Sequence, residues 1–162
     1  YAVTVGSEMY LNMQKYFQLE GLAYRIVPYK DAPKSGKINT EIMYNNMMNK
    51  FRFGGVDVSI VSIDEDNNYK YLPSNIYLDE NVLRMCRAHR QMFSELINAL
   101  IAEGKKEEAI AALDYCLGVI PHSSVPHNFS STDFVDQYYA VGEKEKGKDI
   151  YVIPHRSFSF HE

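Results

Sequence analysis

The stretch Phe93 to Pro121, FSELINALIAEGKKEEAIAALDYCLGVIP, constrains this chain more than any other. Phe93, Leu96 and Leu100 recur at the three-to-four spacing that puts them on one helix face, and Gly104 interrupts the pattern. Ala109 and Leu113 resume it on a second helix, and Pro121 closes the unit. Two helices joined by so short a turn fold back on each other and bury their facing stripes. A hairpin of this kind is a packing and binding device rather than a reaction centre.

The register of large residues, turn glycine, small residue and closing proline resembles the roughly 34-residue tetratricopeptide repeat. A second, degenerate unit emerges when Gly142 is aligned with Gly104: Phe134 then matches Leu96, Tyr138 matches Leu100, and EKEK follows the glycine as KKEE does in the first unit. Gly147 stands where the repeat carries alanine, and Pro154 falls where Cys116 lies in the first unit, so the last helix is expected to stop early. This reading assigns residues 77–153 to tetratricopeptide-like helical hairpins, one good repeat at 90–121 and one degenerate at 128–153, followed by an irregular tail at 154–162. Stacked repeats need about three units to bury a continuous core, so two must lean on something else. The preceding part of the chain and a neighbouring domain are the candidates.

Residues 1–76 read as a small α+β portion, which makes the fold class mainly α with α+β character. Ala2 to Val5 and Leu22 to Val27 are rich in β-branched and aromatic residues and predict short strands. Between them Met9, Met13, Tyr16, Phe17 and Leu19 suggest a helix from Glu8 to Leu19, capped by Ser7 and ended by Gly21. Tyr29 to Lys37 carries Pro33, Ser35 and Gly36 without periodicity and reads as a loop. Asn39 or Thr40 caps a helix at about 40–51 with Ile42, Met43, Met47 and Phe51 on its buried side, ended by Gly54 and Gly55. Val56 to Ile63 alternates like a strand, and Asp64 to Asn75 reads as an exposed loop. Asp79 then caps a long helix to about Glu103, whose apolar stripe is Val82, Met85, Cys86, Phe93, Leu96, Ile97 and Leu100.

Seventeen basic against 21 acidic residues give a net charge of −4, without the basic footprint of a nucleic-acid binder. No apolar run reaches the roughly 18 residues a membrane span requires, and no signal-peptide pattern opens the chain. It begins at Tyr1 rather than Met, which suits a piece of a longer protein. Folding α-helices back at about Lys105 leaves Cys86 and Cys116 on the order of 12 Å apart, too far for a disulfide, and Cys116 reads as a small core residue.

No P-loop, GxGxxG or GxSxG pattern is present, so catalysis by this chain is not expected, nor is any cofactor. His122 and His127 flank a loop but lack the third and fourth ligands of a metal site, and His89 falls on the apolar stripe as a hydrogen-bonded core histidine. Asp64 to Asn68 alternates acids as a calcium loop does, with Tyr69 and Asn75 where glycine and glutamate are required. Arg84, Arg87 and Arg90 form a possible anion-binding row, against the plainer reading of a solvated face laced with Glu95, Glu103, Glu107 and Glu108. The first helix of each hairpin lines the concave face of such folds, which nominates Gln91, Asn98, Asp133 and Gln137 as partner-binding residues. The partner is a protein or peptide. Thirteen tyrosines and eight phenylalanines also permit glycan contact.

Three phrases in order, YFQLEGLAYRIVP at Tyr16 to Pro28, INTEIMYNNMMNKFRFGG at Ile38 to Gly55 and YLDENVLRMCRAHRQMFSELINALIAEGK at Tyr77 to Lys105, carry a more particular likeness. Together they resemble the C-terminal soluble region of a Bacteroidetes family of multi-spanning membrane proteins of unknown function, itself similar to protein O-mannosyltransferases. The resemblance implies that a transmembrane body with the catalytic acid lies upstream. It implies a glycosyltransferase-like parent and a periplasmic, extracytoplasmic position for this domain. The expected function is that of a non-catalytic accessory domain for protein interaction or acceptor positioning; the alternative is a free-standing tetratricopeptide-type peptide-binding adaptor.

Overall fold

The N-terminal segment does not form the helix its apolar spacing suggests. In the computed structural model, which describes residues 1–28, 38–53, 56, 61–63, 69–71 and 77–156, it makes two short 3-10 turns, Ser7–Tyr10 and Gln14–Tyr16. Leu11 and Asn12 between them take positive φ of 51° and 59°, which a right-handed helix cannot contain. The spacing misleads because Met9 is 60% exposed and Met13 and Tyr16 are only half-buried, so they form no buried stripe. Phe17–Leu19 is instead strand β1, buried throughout, and pairs antiparallel with β2 (Tyr24–Ile26) in the register Phe17 to Ile26. Ala2 to Val5 contributes only a single bridge from Ala2 to Ala23 rather than a strand. Tyr1, Tyr10, Phe17 and Tyr24 close an aromatic cluster over the hairpin, with ring centroids 5.0 Å apart for Tyr1 and Phe17 and 5.3 Å for Phe17 and Tyr24.

Asn39 caps helix α1 (Thr40–Asn45) by accepting from the Ile42 amide at 3.0 Å, and the helix continues as a π-helical turn over Asn46–Lys50. Met43 and Met47 are fully buried on its inner side. The loop expected at Tyr29 to Lys37, the Gly54–Gly55 pair and the Asp64 to Asn68 acids lie outside the described residues. β3 (Val61–Ile63) pairs antiparallel with β4 (Tyr69–Tyr71), so part of the expected exposed loop is a strand. Two tyrosines flanking Lys70 are period-two β-formers, and that preference outweighs the polar residues around them.

Asp79 accepts from the Val82 amide at 2.9 Å and opens α2 (Glu80–Ala102). Phe93, Leu96, Ile97 and Leu100 are fully buried, whereas Val82 and Met85 remain 39% and 42% exposed because the first two turns overshoot the bundle. Gly104, at φ +77°, turns the chain into α3 (Lys106–Val119), whose Ala109, Ala112, Leu113 and Cys116 are buried. The Gly104 amide donates to Ile101 and the Lys105 amide to Leu100. The same pair of bonds recurs after α4 (Thr132–Val141): with Gly142 at φ +94°, its amide donates to Tyr139 and that of Glu143 to Tyr138. Each turn satisfies carbonyls that a helix end otherwise leaves without donors.

α5 (Lys144–Arg156) runs through Pro154 instead of stopping before it. Proline in the final turn forfeits one backbone hydrogen bond and leaves the earlier turns intact, so the helix ends later than expected and Pro154 to Arg156 are not an irregular tail. Phe134 and Tyr138 of α4 are buried, and the Tyr138 hydroxyl and Lys146 ammonium each donate to Asp114 at 2.7 Å, tying α3, α4 and α5 together.

Leu19, Met43 and Met47 share one buried cluster with Leu96, Leu100, Leu113 and Tyr138. The helical hairpins therefore lean on the N-terminal portion. Thr40 hydroxyl donates to Glu103 at 2.8 Å, and Lys105 pairs with Glu103 at 2.9 Å and donates to Thr40 at 3.3 Å, which locks the start of α1 to the α2–α3 turn.

Candidate partner-binding cleft

Gln137 lies one turn beyond Asp133 on α4 and faces α2. Its Nε2 donates to the Ser94 carbonyl at 3.0 Å, to Ser94 Oγ at 2.9 Å and to Asn98 Oδ1 at 3.0 Å. Three acceptors around one amide nitrogen fix its orientation, since turning the group would oppose oxygen to oxygen. Its Oε1 is buried and has no hydrogen-bond partner among the described residues.

Beside this contact a cleft of about 250 Å³ opens between the two helices, lined by Asn98 and Ile101 of α2 and by Asp133, Asp136, Gln137 and Ala140 of α4. The α4 residues share one face because they fall three, four and seven positions after Asp133. Asp133, Asp136 and Asn98 are exposed, whereas Gln137 is only 3% exposed. The structure thus brings together Asn98, Asp133 and Gln137 of the four nominated residues. Gln137 serves first as the bridge between α2 and α4 and not as a free surface group, a correction that follows from its burial. Asp136, missed from sequence, was detectable as the acid three positions after Asp133 on the same face.

Gln91 belongs elsewhere. It is half-buried, donates to Glu95 at 3.3 Å, and borders a second, much smaller depression of about 10 Å³ with Arg87, Arg90 and Asn128. That volume holds about one water.

The expected anion-binding row does not exist as a surface. Arg84 and Arg87 are exposed, but Arg90 is 4% exposed and its Nη2 donates at 2.7 Å to both the Ile120 and the Val125 carbonyls. Arg90 therefore fastens the loop after α3 to α2. Burial lowers its pKa, with the Cys116 and Cys86 thiols nearby opposing the shift and Arg87 adding to it. Both thiols are free and buried, and burial pushes the Cys116 thiol up to about 12. His89 is half-buried, donates from Nδ1 to the Met85 carbonyl at 2.7 Å and meets Phe53 edge-on.

His122 and His127 lie with ring centroids 4.8 Å apart, and the His127 amide donates to His122 Nδ1 at 3.0 Å. Burial first, then Arg90 and His122, push His127 down to about 4. No group of three or more His, Cys, Asp or Glu residues converges among the described residues.

Residues 1–43, the β1–β2 hairpin and the start of α1, match the family model of TMEM260-associated domain 2. The N-terminal part of the chain is thus similar to a domain associated with TMEM260-type proteins. No curated protein matches the chain, and neither does any solved structure. Among the described residues no helix is long and apolar enough to cross a membrane.

Proposed function

We propose that this chain is a non-catalytic accessory module of a larger, glycosyltransferase-like membrane protein, placed on its extracytoplasmic face, which contacts an acceptor protein through the α2–α4 cleft. The single observation that carries the binding role is that cleft, where Asn98, Asp133 and Asp136 meet solvent beside the buried Gln137 bridge. The parent is suggested by the match of residues 1–43 to a TMEM260-associated domain, which agrees with the sequence resemblance to a membrane family similar to protein O-mannosyltransferases. The two helical hairpins are read as tetratricopeptide-like units, the first a good repeat and the second degenerate, that use the N-terminal portion as their third layer.

The test uses the full-length parent in cells. Asn98→Arg, which sets a long cation against Asp133 and Asp136, should lower glycosylation of acceptor proteins, measured by mass spectrometry, while membrane insertion and parent abundance stay normal. Undiminished glycosylation in the Asn98→Arg parent would overturn the binding role. Turnover of a sugar donor by the isolated chain would overturn the non-catalytic assignment.

A further inference from the structure

We propose that residues 120–128, the loop from α3 to α4, form an acid-opened latch: the neutral His122 ring holds the loop shut, and a proton on that ring releases it while the α2–α3 hairpin stays folded. The His127 amide donates to His122 Nδ1 at 3.0 Å. A ring nitrogen that accepts carries no hydrogen, so the single N–H of His122 sits on Nε2. Imidazolium has two N–H donors and no acceptor, so protonation at Nδ1 turns N–H against N–H and breaks the bond. Elsewhere the loop is held by Arg90 Nη2, which donates to the Ile120 and Val125 carbonyls, and by the Ser124 hydroxyl, which donates to the Val56 carbonyl at 2.7 Å. None of these groups takes up a proton in mild acid, so the bond to His122 is the tie that acid reaches.

The surroundings oppose the added charge. From α2 the Arg90 guanidinium, with Arg87 beyond it, acts on both rings, and the His127 ring lies 4.8 Å from that of His122. The Cys86 thiol of α2 and the Cys116 thiol of α3, both near Arg90, are pushed up by burial and stay neutral. No carboxylate acts on either ring among the described residues. In the closed loop burial first, then Arg90, lower the His122 pKa, and His127 is down to about 4. Both rings titrate near 6.5 once open to water, so the open loop binds more protons and gains as the pH falls. Phe93, Leu96, Leu100, Ala109 and Leu113 in the α2–α3 interface hold no titratable group, so acid acts on the loop and not on the hairpin. The same loop sets Asn128 and Ser131 beside Arg87 and Gln91 of α2, and its release loosens the entry to α4 whatever the α2–α4 cleft binds.

The test is a titration of the chain, labelled with nitrogen-15, from about pH 7.5 to about pH 4.5. At neutral pH a scalar coupling across the hydrogen bond should join the His127 amide nitrogen to His122 Nδ1. It should vanish as His122 takes its proton, with the Leu96 and Leu113 amides still at their native shifts. Exchange of the His127 amide, corrected for its intrinsic rate, should speed up about tenfold from about pH 7 to about pH 5 and show no dependence on dilute urea. His122→Asn places a side-chain oxygen where Nδ1 stands and should abolish the acid step. His122→Phe offers no acceptor and should leave the His127 amide unprotected at neutral pH. A His127 bond that survives protonation of His122, an acid step of full size in His122→Asn, or a urea slope matching that of the Leu113 amide would each overturn the latch.

Discussion

Arg90 shows what a single residue does to this fold. Its guanidinium spans α2 and the loop after α3, so Arg90→Met, which keeps the stem but removes both donors, should cost about 2–4 kcal/mol in urea unfolding. The loss falls on the Ile120 and Val125 carbonyls, whose residues are 1% and 0% exposed. The neighbouring histidines respond to acid. Unfolded His127 takes a proton near 6.5 and folded His127 only near 4, so the unfolded state binds more protons in that window. The stability this group contributes is therefore complete above about pH 6.5 and is lost as the pH falls to about 4. Water reaches part of the ring, which limits the loss to on the order of 1 kcal/mol. Denaturant titrations at neutral pH and near pH 4.5 should show it in the wild type and show it reduced in His127→Gln. None of this was legible in the sequence beyond the residue types, because the partners of Arg90 lie 30 and 35 positions away in a loop without periodicity.

At the scale of elements, the pattern that can be read is the one written locally. Asp79, Asn39, Gly104 and Gly142 all stand where caps and turns were expected, since each acts through bonds to residues within five positions. Asp79→Ala should cost about 1 kcal/mol and fray the first turn of α2, visible as faster amide exchange at Val82. Leu100→Asp or Ala109→Asp places a charge in the fully buried face between α2 and α3 and should abolish cooperative thermal unfolding. Where local signals conflict, reading fails: Met9, Met13 and Tyr16 mimic a helical stripe, but the aromatic pairing of Phe17 with Tyr1 and Tyr24 is non-local and draws the segment into a hairpin. The candidate cleft was legible in three residues because they occupy the first helix of each hairpin, while the hydrogen bonds that bury Gln137 depend on how α4 docks.

At the scale of the whole molecule, two hairpins are completed by an unlike third layer. Removing residues 1–50 should strip Leu19, Met43 and Met47 from the common core and leave the remaining chain expanded and able to bind a hydrophobic dye, whereas removing residues 1–16 should be milder. Retention of a sharp thermal transition by the 51–162 fragment would sink this account of the core.

The Thr40–Glu103–Lys105 junction also bears on the order in which the chain acquires its shape. During synthesis the strands and α1 are made before α2 and the α2–α3 turn that carries Glu103 and Lys105. The α2–α3 pair, held by contacts close in sequence, has the smaller loop-closure cost and should become protected before the N-terminal layer, which docks onto a surface already formed. Pulsed hydrogen exchange during refolding should accordingly find the Leu96 to Leu113 amides protected ahead of those of Phe17 to Met47. Of these two layers, the one synthesised earlier is then the one that reaches its native place later.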